Sequence, residues 1–155
     1  MAQTSRGSGE KSSSIGNHYT SFFVNDSTML YYIKPMRFNS INSYVNVDFT
    51  FNKIQNKTKE ATMNFSIITP VKISISSIKK IKFNDKEIQN YKILYNESKN
   101  KKSEMRISSS LNTDEFMKLD ENSYFEITTT DLVSIHKPSK KTYKILKQVK
   151  NLILD

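Results

Sequence analysis

The sequence predicts a mainly β domain, an antiparallel β-sandwich or barrel with one short internal helix and a C-terminal amphipathic helix. Three observations carry that prediction. Apolar and polar residues alternate along several segments, those segments are rich in β-branched and aromatic residues, and Asn and Asp stand between them where turns are needed. The clearest segment is 43–51, where Val45, Val47, Phe49 and Phe51 share one face and Tyr44, Asn46, Asp48 and Thr50 the other. Residues 61–68 repeat the device, with Met63, Phe65 and Ile67 opposite Thr62, Asn64 and Ser66. Further strands are expected at 19–24, 28–33, 71–76, 78–83, 88–95, 105–109, 124–130 and 132–136. Ten short, closely spaced strands without intervening helices point to an antiparallel architecture. Asn25, Asp26 and Ser27, and Asn84, Asp85 and Lys86, supply turn chemistry that glycine would ordinarily supply.

Two helices interrupt the pattern. Asn112 reads as an N-cap, with Glu115 at the third helical position and Phe116, Met117 and Leu119 following. This is a turn or two that plugs one end of the β structure. The second helix spans residues 139–154 behind Pro138. Tyr143, Leu146, Val149 and Ile153 form its apolar stripe, widened by Ile145 and Leu152, with Lys140, Lys144, Lys147 and Asn151 roughly opposite. A stripe this wide is buried against something: the chain's own sheet, a docking partner or an acidic membrane surface. Residues 1–18 are too poor in apolar groups to order themselves and are read as an extended or disordered arm. The organisation expected is therefore an arm at 1–18 and a single β-rich domain at 19–155, without internal repeats.

Composition narrows the chemistry. Among 155 residues there is no cysteine, and glycine occurs only at Gly7, Gly9 and Gly16. Thiolate metal sites, disulfides and cysteine nucleophiles are thereby excluded. Phosphate-cradling loops and nucleophile elbows in the body of the chain lack the glycines they use. Gly7 to Ser12 superficially suggests a phosphate loop, but Glu10 separates glycine from lysine where phosphate would lie, and the six residues before it are too few for the strand that leads into such a loop. His18 and His136 have no neighbouring ligands of metal-site spacing. A Ser-His-Asp arrangement around His136, with Asp131 nearby in sequence, is the one catalytic option. The carboxylate pairs Asp114/Glu115 and Asp120/Glu121 point in divergent directions, and Asp114 and Glu115 suit a helix N-terminus. Asp48, on a polar strand face, is expected to be solvated. No catalytic residue, cofactor site, metal site or small-molecule substrate is therefore assigned.

The formal net charge is +9, from 24 basic and 15 acidic residues. Of the basic residues 21 are lysine, and 15 Asn and 17 Ile stand beside only two Ala. Lys, Asn and Ile share AT-rich codons, so much of the lysine excess reflects nucleotide composition. Arg, which reads phosphate best, is scarce. Four Asn-x-Ser/Thr sequons, at Asn25, Asn56, Asn64 and Asn96, are what this composition gives by chance. No apolar leader core and no run near the ~20 residues of a spanning helix is present, so the expected setting is cytoplasmic or within a virion or other large assembly.

The function expected is non-catalytic: a structural or adaptor subunit of a larger protein assembly, joined by protein partners or self-assembly. Its contacts are expected from Arg6 and Ile15 of the arm and from Tyr143, Leu146, Val149 and Ile153 of the C-terminal helix. Virion and injection-machine subunits share this arm-plus-β-domain plan, an architectural analogy only. The alternative is a nucleic-acid-binding β-barrel module that uses Lys79, Lys80, Lys82, Lys99, Lys101 and Lys102 beside interleaved aromatics.

Overall fold

A computed structural model of the protein describes residues 3–4, 18–55 and 57–154. Alternation becomes a single curled antiparallel sheet, a half-barrel. Its strands are β1 (Gln3–Thr4), β2 (Tyr19–Asn25), β3 (Thr28–Asn39), β4 (Tyr44–Ile54), β5 (Lys57–Thr69), β6 (Ile78–Phe83), β7 (Lys86–Glu87), β8 (Tyr91–Lys99), β9 (Lys102–Ser110), β10 (Phe125–Thr129) and β11 (Val133–Pro138). The order across the sheet is β7-β6-β10-β11-β3-β4-β5-β9-β8, with β2 beside the first half of β3 and β1 beside β2. The internal helix is Thr113–Met117 and the C-terminal helix Lys140–Leu154.

Strand β3 organises the curl. Its first half pairs with β2 up to Ile33↔Tyr19, and its last residues, Phe38 and Asn39, pair with β11. Between them Lys34 and Pro35 together oppose one residue of β4, since Ile33 pairs with Phe49 and Met36 with Val47. Pro35 has no N–H for a ladder, so a bulge is the natural place for it. The sequence reading ended this strand at residue 33; it continues through the proline.

One face of the sheet holds the core. Phe38, Val45, Val47, Phe49, Phe51, Phe65, Ile81, Ile107, Phe125 and Ile127 are all buried there. The internal helix, capped by Asn112 Oδ1 accepting from Asp114 N–H at 2.8 Å, drives Phe116 between Phe49 and Phe51 at 4.8 and 4.9 Å, edge to face. Such ring pairs add about 0.5–1.5 kcal/mol each beyond simple burial. The helix therefore plugs one end of the half-barrel, as expected. The C-terminal helix closes the side along β3 and β11. Thr142 Oγ1 donates to the Arg37 carbonyl at 2.8 Å near its start, and Lys150 Nζ donates to the Leu119 carbonyl at 2.6 Å near its end.

Turns confirm the substitution of Asn for glycine and show its limit. Asn84 and Asn100 adopt φ of 54° and 53°, while Gln55 and Lys101, with φ of 51° and 63°, occupy the same left-handed region. Asn100 and Lys101 form a two-residue hairpin turn between the paired Lys99 and Lys102, positions where Asn followed by Gly is the favoured pair.

Two further sequence expectations need correction. Residues 71–76 form no strand; they run as a loop into a 3-10 turn at Ile75–Ser77. Their alternation of apolar and polar residues has no neighbouring strand to pair with. Asp48 is not solvated: it is 1% exposed on the face opposite the core. Arg106 Nη2 reaches its Oδ2 at 2.7 Å, Asn64 Nδ2 its Oδ1 at 3.2 Å, and Arg106 Nη1 also donates to Ser66 Oγ at 3.1 Å. Neighbouring strands place these side chains side by side and roof the carboxylate, which alternation along one strand cannot reveal.

Candidate functional site

Among the described residues no group of three or more His, Asp or Glu side chains could hold a metal ion. The one catalytic option in the sequence is partly assembled. His136 Nε2 and Ser43 Oγ lie 2.7 Å apart, joining β11 to the turn before β4. His136 is completely buried, and burial draws its pKa from 6.5 down to about 4, the Phe125 backbone beside it pushing weakly the other way. Its Nδ1 has no partner of hydrogen-bonding geometry, so no carboxylate orients the ring. A neutral imidazole with so low a pKa is a poor acceptor for a serine proton at neutral pH. The pair forms a polar clasp between the β3–β4 turn and β11.

That clasp sits at the end of the half-barrel opposite the internal helix. Three connections surround a cleft of about 1030 Å³ there: the β3–β4 turn, residues 70–77, and the β10–β11 turn. Ile67 and Ser43 line its inner part. The tips carry aliphatic side chains in water: Ile41 is 96% exposed, Val71 75% and Leu132 58%, and Ile75, Val133 and Ile135 are exposed beside them. Soluble surfaces seldom concentrate large apolar groups this way without a use for them. A smaller, less exposed set, Phe23, Val24 and Ile54, lies at the plugged end.

The cleft exists because β11 parts from β3. The two pair only at Lys137↔Asn39 and Pro138↔Phe38, while Val133 to His136 pair with β10 alone. Antiparallel alternation, anchored by the Thr129 N–H to Leu132 carbonyl bond of 2.8 Å, turns the N–H and C=O of Val133 and Ile135 toward the open side.

The lysines expected to contact nucleic acid gather at this same open end, except Lys82. Lys79 and Lys80 flank the start of β6, where Ile78 pairs with Thr129. Lys99, Lys101 and Lys102 occupy the β8–β9 turn, beside Ser103, which pairs with Thr69 at the end of β5. Lys82 lies farther along β6, 3.9 Å from Glu126. Lys102 Nζ is 5.8 Å from the Tyr44 ring centroid and the Arg37 guanidinium 3.9 Å, so that ring already has cations on it.

The residues expected to contact a partner fare differently. Leu146 and Val149 are fully buried in the chain's own core, and Tyr143 is half-buried. Leu146 and Val149 are thus spent on the domain itself, because the half-barrel leaves a side that needs covering. The side chain of Ile153 lies outside the described residues, as do Arg6 and Ile15. The aliphatic tips escaped the sequence reading. Their signal was present in Ile41, set between Ser40 and Asn42 where a turn wants only polar groups.

No helix among the described residues is long and apolar enough to cross a membrane. The chain matches no protein-family profile, no curated protein and no solved structure.

Proposed function

We propose that the protein is a non-catalytic docking subunit of a larger assembly, and that its open end makes the contact. One observation carries the reading: six of the ten exposed large hydrophobic side chains among the described residues, Ile41, Val71, Ile75, Leu132, Val133 and Ile135, gather around one end of the domain. Exposing them costs solubility, and a binding surface is the ordinary reason to keep them. The arm, with Arg6 and Ile15, is the second candidate contact.

Fractionation of extracts from cells that naturally make the protein tests this. Wild-type chain is expected in a heavy fraction, and the double variant Ile41→Asp/Leu132→Asp as a free chain of 18.0 kDa with an unchanged melting temperature. Migration of wild type as a lone chain overturns the proposal.

A nucleic-acid module is the second reading. Convergence of Lys79, Lys80, Lys99, Lys101 and Lys102 on one end favours it. Against it, the exposed apolar residues at that end are all aliphatic, and base stacking wants exposed rings.

A further inference from the structure

Resting on the docking reading, we infer that the surface this end contacts is an anionic lipid bilayer, met peripherally by three aliphatic loop tips with exposed lysines at the same end. The shape of the surface is the first argument. Ile41, Val71 and Leu132 stand on three separate connections at one end of the half-barrel, each more than half exposed. Separate protruding tips suit a soft interface into which each can sink, where burial of aliphatic groups drives adsorption without a matching groove.

Charge is the second. Lys72 lies on the cleft rim, Lys79 and Lys80 beside the start of β6, and Lys99, Lys101 and Lys102 around the β8–β9 turn. Three acids stand against these six lysines, Asp131 on the cleft rim and Glu97 and Glu104 beside the β8–β9 turn, so this end keeps a positive balance. Apolar tips beside exposed lysines complement an apolar interior beneath anionic headgroups, and lysine stems can lie along the interface while the ammonium groups stay hydrated. Lysine suffices here because diffuse surface charge, unlike a single phosphate, asks for no planar fork.

Competing occupants fit less well. A peptide strand added to β11 would find two open residues, Val133 and Ile135, against the five or six typical of a strand. Single-stranded nucleic acid would meet the lysines, but the Tyr44 ring among them already has Arg37 and Lys102 over it, and the exposed apolar groups there are aliphatic.

Co-sedimentation of the full chain with vesicles tests the inference. Phosphatidylcholine vesicles, the same vesicles with phosphatidylserine, and a free oligo-dT strand serve as probes. Binding is expected to the phosphatidylserine vesicles, weakening with salt, and marginal to phosphatidylcholine alone. Lys101→Glu is expected to weaken it about fivefold or more, from the loss of one surface lysine. Ile41→Asp/Leu132→Asp is expected to abolish it, and Val24→Asp at the plugged end to leave it intact. Because Ile41 is 96% exposed, the fold tolerates its replacement, and an unchanged melting temperature verifies that. Absence of binding to anionic vesicles at low salt overturns the lipid assignment. So does binding insensitive to Ile41→Asp/Leu132→Asp, or tighter binding to oligo-dT. If vesicles fail while the native chain still travels in a heavy fraction, the docking reading stands and the lipid assignment alone falls.

Discussion

Asp48 and Arg106 differ in how much water each can reach, and that difference predicts unequal penalties for breaking their pair. The Asp48 side chain is 1% exposed and the Arg106 side chain 24%. Arg106→Met strands a carboxylate with Asn64 as its remaining side-chain donor, and breaking a buried pair in this manner costs about 3–5 kcal/mol. Asp48→Asn leaves a guanidinium that can turn outward, and is expected to cost about 1–2 kcal/mol. Urea denaturation of the two variants measures both, and equal losses would refute the asymmetry. His136 makes a prediction in pH. Its pKa is about 4 in the folded protein against 6.5 unfolded, so the unfolded chain takes up the proton first as pH falls. The contribution is complete above pH 6.5 and is lost as pH falls toward 4, reaching about 3 kcal/mol. His136→Asn removes that term, so the gap between wild type and variant should narrow by about this amount between pH 7 and pH 4. A constant gap would mean that His136 is not held neutral. Neither residue's role was legible in the sequence. Alternation assigns each to a face, but coverage depends on strands that meet across long separations.

Elements were more legible where local signals and global packing agree. β4 and β5 alternate cleanly and form the middle of the sheet, and Asn112 caps the helix it was expected to cap. Failures occurred where a local signal conflicted with the fold. The strand expected at 28–33 stopped short of Pro35, yet the bulge absorbs that proline and the strand changes partners from β2 to β11. The stripe of the C-terminal helix was visible in the sequence, but not what it covers. Leu146 and Val149 lie in the core, so Leu146→Ala should cost about 3 kcal/mol in the isolated protein by loss of burial and creation of a cavity. Lys144→Ala, on the exposed face, should stay within about 0.5 kcal/mol of wild type. Similar small effects for both would return the helix to the role of a partner-binding element.

At the scale of the molecule, the two ends of the half-barrel are built for different things. One is plugged by Phe116 against Phe49 and Phe51; the other is open, clasped by Ser43 and His136, and carries aliphatic tips. That polarity depends on topology, because the antiparallel register puts the start of β6 and the β8–β9 turn at the same end of the sheet. No linear reading could bring Lys79 to the end that Lys101 occupies. The same topology sets a gradient of local stability. β4 is paired on both sides, by β3 and β5, and β5 by β4 and β9, with their inward side chains in the core. β11 keeps one neighbour over Val133 to His136 and holds apolar side chains out in water. Opening free energy follows paired edges and buried contacts. Amide exchange should therefore be slowest at 45–51 and 63–67 and approach the global unfolding limit there, while Val133 and Ile135 exchange orders of magnitude faster. Mass spectrometry of peptides after timed deuteration measures the contrast. Protection at 132–135 equal to that of β4 in the free protein would mean that the open end is already covered, and the docking surface argued for it would not be available to a partner.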